Sequence, residues 1–347
     1  MRTPHLAHTG RVLLIGIGLS LFAGCYATSG SDQMTKEQRL GYYLENSLRY
    51  YDLRDLPRAI DQATRGLELE PRNERLLLIK ARCHLQLDTR DDILTAVSIL
   101  KKHPNQKDYR VRMTLAEGLE RKGLLYDLAA DEIASGERYT DEADPLVAAE
   151  EMRATARKNW MDAVGHYRAS TQLFTGGIES LNGLMRVQTF LELNEDALET
   201  AKKLVVAIDE SSQVLRVRLR ELENSENDSW PIQRQIYGND KLLAGVHLHM
   251  SELYHAKGEH LEALGELDEV LRLDPDWPAI YSRRGTLFLE LGDPARARDA
   301  IEYFMANSKL PYEHPDIQRA QTLLSECDSQ LEAVDRANQI GDGSQGG

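Results

Sequence analysis

The chain is short of cysteine, of aromatic residues, of positive charge and of long apolar runs, and each shortage removes a class of protein. Three cysteines in 347 residues, at Cys25, Cys83 and Cys327, cannot all pair, and their spacing is not that of a metal framework. A formal net charge of −14 argues against nucleic-acid binding through bulk charge. The one long apolar run, Val12 to Ala23, is too short for an ordinary membrane span. Catalytic signatures are missing as well. There is no HExxH, CxxC, GxSxG or phosphate-binding P-loop, and the IGIG dipeptide repeat lies inside the apolar run. Ser98 and Lys101 make an isolated SxxK on a predicted helix without companion motifs. No catalytic residue, cofactor or metal ligand is expected on these grounds. What remains plentiful is Leu, Ala, Glu and Arg, with aromatics at only 6%, the composition of a helical protein.

Residues 1–24 carry Arg2 and Arg11 and no acid, followed by the apolar run and then Gly24 and Cys25. That order reads as a secretory signal. The LFAGC ending resembles the lipobox of bacterial lipoproteins, with Phe22 where Leu is usual. The resemblance implies a lipid attachment at Cys25, with palmitate among the acyl chains, and two or more chains anchor stably where one does not. Tyr26 follows, not Asp, which by the sorting rule of double-membrane bacteria implies the outer membrane, facing the periplasm. Residues 25–38 read as a flexible tether.

The rest is organised around residues 244–311. Tyr254 is answered by Phe288, Gly258 by Gly292 and Ala263 by Ala297, each 34 residues on. Pro275 closes the first copy and Pro311 the second. Ser251 and Gly285 are small residues on the first helix of each unit. An amphipathic helix pair cannot bury both its apolar faces alone, so stacked pairs must repeat large and small residues at fixed offsets. This pattern resembles the tetratricopeptide repeat (TPR) family. The resemblance implies an all-α fold, a right-handed superhelical solenoid of helix–turn–helix repeats, here five to seven pairs.

Setting Pro71 on Pro275 places Tyr43, Ser47, Tyr50 and Ala59 on signature positions, with Arg54 and Asp55 in the turn that carries Gly in the late copies. A second unit spans 74–107, where Ile93 stands in place of Ala and Ala96 implies a slipped register. A third is expected at 109–136 with Gly123 near its turn, which completes an N-terminal block at 39–136. Residues 137–210 read as degenerate repeats, with a helix B around Ala163, Tyr167 and Ser170, and with Asn194 in the turn-glycine position. Residues 211–243 fall outside the period, an insert of one helix and a polar loop where Trp230 is expected to pack. Residues 312–338 read as a capping helix and 339–347 as a disordered tail.

In TPR proteins ligands lie in a concave groove lined by the first helix of each repeat. Carried over, the groove positions are Arg75, Leu78, Arg82, Arg110, Met113, Glu117 and Arg121 toward the N-terminus, and Leu248, Glu252, His255 and Arg283 toward the C-terminus. Arg75, Arg82, Arg110 and Arg121 would make a basic patch for an acidic segment. The expected function is a non-enzymatic scaffold or adaptor, binding a protein or peptide partner in an envelope assembly or secretion complex. The alternative is a ligand- or metal-binding role for the histidine-rich segment 247–260. Against it, His247 and His255 lie eight residues apart and His260 falls beyond the Gly258 turn, so no shared ion is expected.

Overall fold

The computed structural model describes residues 34–142, 144–222 and 229–343. Cys25 and the part of the tether before residue 34 lie outside them, as do residues 344–347. The described residues form thirteen α-helices and no strand. They are α1 (Lys36–Asp52), α2 (Leu56–Leu69), α3 (Glu74–Leu87), α4 (Arg90–Lys101), α5 (Tyr109–Ala134), α6 (Pro145–Leu173) and α7 (Ile178–Phe190). Then follow α8 (Asn194–Leu222), α9 (Trp230–Ala256), α10 (His260–Leu273), α11 (Pro278–Glu290), α12 (Pro294–Asn307) and α13 (Pro315–Gly343). Each helix packs on the next. The odd-numbered helices also touch one another, α1 on α3, α3 on α5, α5 on α7 and α11 on α13. The result is six antiparallel pairs stacked as a helical solenoid with α13 closing the end. No helix among the described residues is long and apolar enough to cross a membrane.

One turn is used again and again. Arg54, Asp88, Glu192, Gly258 and Gly292 have positive φ, between 56° and 78°, and each sits between the two helices of a pair. The next residue accepts the backbone N–H four positions on: Ala59 to Asp55, Ile93 to Thr89, Ala197 to Leu193, Ala263 to Glu259 and Ala297 to Asp293. That geometry explains the recurring alanine. It is the first residue of the second helix to face its partner, and Ala59, Ala197, Ala263 and Ala297 are fully buried. Gly285 is the matching notch on α11, where a Cβ would fall 2.4 Å from Ile301.

The same turn corrects two expectations. Ile93 takes the alanine position in register, so there is no slip, and Ala96 is simply buried one turn later. The left-handed residue of the α7–α8 turn is Glu192, not Asn194, which is already the first residue of α8. Glu192 holds the strained conformation because Leu193 N–H is bonded to Gln188 C=O across the turn, as Asp293 is to Phe288. The bonds around the turn, more than the residue type, set this backbone.

The middle departs further. No turn forms near Gly123: α5 runs unbroken for 26 residues and α6 for 29. The expected third unit and the degenerate one after it are therefore a single oversized pair. Nothing in the Arg121–Asp127 stretch stops a helix, since one interior glycine costs only about 1 kcal/mol. The glycine serves packing, because a Cβ there would lie 2.2 Å from the Trp160 indole nitrogen of α6. The described parts of 211–243 are likewise not an insert. Residues 211–222 are the end of α8 and residues 230–243 the start of α9, an antiparallel extension held by Asn239 donating to Ser212 at 3.0 Å and by Arg216–Asp240 at 3.3 Å. Trp230 is not buried in a hydrophobic seam. It opens α9, is 59% exposed, and lies under the Arg234 guanidinium. At the far end α13 buries Ile317, Ala320 and Cys327. It continues past residue 338 to Gly343, because no proline interrupts the helix and each added residue closes one more hydrogen bond.

Candidate functional site: a cleft between α9, α11 and α13

The C-terminal groove residues converge. Glu252 and His255 on α9, with Ser282, Arg283 and Thr286 on α11, line a cleft of about 370 Å³. Leu287, Phe304 and Leu310 supply apolar lining, and Asp316 and Arg319 from the first turn of α13 complete it. Successive first helices lie side by side, so residues 31 apart in sequence become neighbours. Glu252 and Arg283 form a direct ion pair across that boundary. Glu252 also faces His249 at 3.5 Å. Hydrogen bonding to His249, and then to Arg283, holds its carboxyl below the usual range. Arg319 is exposed and has no ion-pair partner among the described residues. The cleft thus offers an apolar strip, a neutralised pair and one available guanidinium, a set suited to a peptide segment carrying a carboxylate. Leu248 stands apart, half-buried against the core beneath α9–α11.

The N-terminal set does not form the expected basic patch. Arg110 turns back onto Asp108, with Nε at 3.1 Å and Nη2 at 2.7 Å. Arg121 is taken by Leu85 C=O, Asp88 and Glu117, at 2.7, 2.7 and 2.6 Å. Burial works against its charge, and the two carboxylates outweigh that, so its pKa rises. Arg82 reaches Thr114 at 3.5 Å, and Arg75 is exposed at the start of α3. Leu78 is buried in the α3–α7 core, with Met113 packed against it, so Leu78 lines no groove. Charges close in sequence satisfied one another locally, which a register carried over from other proteins does not show.

The histidines also sort differently from the spacing argument. His247 pairs with Glu266 at 2.6 Å, and His249 meets Thr189 at 2.7 Å. His255 and His260, by contrast, both face Glu290, at 2.8 and 3.2 Å. The Gly258 turn brings the two rings together where the sequence separation had set them apart. The remaining thiols, Cys83 and Cys327, are buried and unpaired. Burial pushes the Cys83 thiol up to about 11, which makes it a poor nucleophile.

No protein-family model matches the chain, and no curated protein matches it. Several solved structures are similar to it. The thermophilic TPR protein TTC0263 from Thermus thermophilus is 15% identical, over 72% of this chain and 99% of its own, with a TM-score of 0.40. The RpL4 assembly chaperone Acl4 is 16% identical over 78% and 91%, with a TM-score of 0.48. Pseudomonas aeruginosa PilF is 13% identical over 83% and 98%, with a TM-score of 0.44. The described residues of the chain themselves form a solenoid of antiparallel helix pairs, each joined by the same left-handed turn or a longer loop.

Proposed function

We propose that this chain is a non-catalytic scaffold that holds an extended segment of a protein partner in the α9–α11–α13 cleft. The supporting observation is the convergence, in one cleft, of an apolar strip with the exposed Arg319 beside the Glu252–Arg283 pair. A peptide there gains from apolar burial along its length and from a charge-assisted bond at one carboxylate. We place the protein at the cell envelope, lipid-anchored through Cys25, on the periplasmic side of the outer membrane in an assembly or secretion complex. That placement rests on the signal-like N-terminus and the LFAGC motif.

Two measurements test the reading. Capture from envelope extract with the full chain should recover one partner, and a photo-crosslinker at Thr286 should mark a single segment of it. Arg283→Glu with Arg319→Glu should weaken capture at least tenfold, whereas Arg75→Glu with Arg82→Glu should leave it near the wild-type level. The reverse result moves the site to the N-terminal repeats and removes the cleft from the account. Mass spectrometry of the mature N-terminus should find acyl chains on Cys25, and a Cys25 peptide without them ends the lipid-anchor claim.

A further inference from the structure

We propose that His255, His260 and Glu290 form a binding site for a zinc-class divalent cation. His255 lies in the last turn of α9, His260 opens α10, and Glu290 closes α11. One ligand atom from each comes within 4.8 Å of the other two. A tetrahedral ion with bonds near 2.0–2.1 Å sets its ligand atoms about 3.3 Å apart. His255 Nε2 lies 2.8 Å from Glu290 Oε2, and His260 Nδ1 lies 3.2 Å from the same oxygen. Two edges of the coordination polyhedron are therefore close to their final length.

A second observation concerns His260 itself. Its Nδ1 is buried and makes no hydrogen bond, although Glu290 is near, because the angle is wrong. A buried imidazole nitrogen left unmet is unfavourable, and coordination to a cation satisfies it. The frame around the site is rigid. Gly258 N–H bonds to His255 C=O and Glu259 N–H to Tyr254 C=O, both at 2.9 Å, and Gly258 sits at φ +78°. Lys257, the cation nearest in sequence, is occupied by Glu195 and Glu259 at 2.9 Å each. Two imidazoles and one carboxylate suit Zn²⁺, or Co²⁺ and Ni²⁺, and not the all-oxygen ions Ca²⁺ and Mg²⁺. Three protein ligands leave a fourth position open. The ion would join three helix ends from two adjacent pairs. This inference does not depend on what the cleft binds.

The test uses the untagged full chain in mild detergent, stripped with EDTA and dialysed. Titration with ZnCl₂ should show one tight ion per chain by calorimetry, and CoCl₂ should give the intense visible bands of a four-coordinate centre. His260→Ala, His255→Ala and Glu290→Gln should each lower zinc affinity at least tenfold and remove the cobalt bands. Glu290→Gln keeps the shape of an exposed helix end, so its result does not turn on folding. His247→Ala should bind as wild type, because His247 pairs with Glu266 elsewhere. The proposal is overturned if the wild-type chain takes up no zinc. It is equally overturned if affinity survives in the His255→Ala/His260→Ala double variant.

Discussion

Trp160→Ala should lower stability by about 3–5 kcal/mol, the cost of truncating a buried Trp, read as a fall in the urea midpoint. Trp160 is 5% exposed and holds the oversized α5–α6 pair together. Its ring packs on Phe190 of α7 at 5.2 Å, and its Nε1–H donates to Glu120 C=O at 3.3 Å. It reaches that position only because α5 has no side chain at Gly123. A specific coupling follows. Gly123→Ala in the wild-type chain should destabilise by about 1–3 kcal/mol through overpacking. In the Trp160→Ala background the obstacle is gone. There the same substitution should stabilise by up to about 1 kcal/mol, because alanine favours helix over glycine. Equal effects in both backgrounds would mean that Gly123 is not a seat for the indole.

Glu120→Ala should cost about 3 kcal/mol. Glu120 is buried on α5, where its Oε1 and Oε2 accept from Arg186 Nε and Nη2 on α7 at 2.8 and 3.0 Å. Oε2 also accepts the Tyr167 hydroxyl from α6 at 2.6 Å. Burial first, and then the Glu120 charge, raise the Tyr167 pKa, so the phenol stays protonated and donates. Removing the carboxylate strands that hydroxyl in an apolar core, which costs about 1–3 kcal/mol, and forfeits charge-assisted bonds of similar worth. Arg186 is half-exposed and turns to water, which keeps the loss below that of a fully buried pair. Tyr167→Phe should cost about 1 kcal/mol, and Glu120→Ala should then be milder in its presence. Chemical denaturation of the four proteins of this cycle measures the coupling, and additive losses would show that Glu120 and Tyr167 do not act together.

Much of the candidate site was legible because of the 34-residue period. Once Tyr254 and Phe288 are aligned, Glu252 and Arg283 fall on equivalent faces of adjacent first helices, and the structure pairs them. Arg319 and Asp316 were not legible. They come from α13, outside the period, and enter the cleft only because the capping helix packs on α11 and α12. Glu290 was missed for a related reason. Its meeting with His255 and His260 is set by a turn and a neighbouring pair together.

By itself the sequence determined that the chain is helical, that its helices come in pairs, and where the late turns fall. Helix pairing depends on residues near one another in sequence, so periodicity, caps and small-residue notches carry it in full. Only the tertiary structure decided that 109–173 is one long pair, that Gly123 and Gly183 seat Trp160 and Tyr167, and that Arg110 and Arg121 are already neutralised. Those outcomes depend on which side chains meet across helices. A helix of 26 residues and two of half that length satisfy the same local rules, and the buried partner on the next helix selects between them.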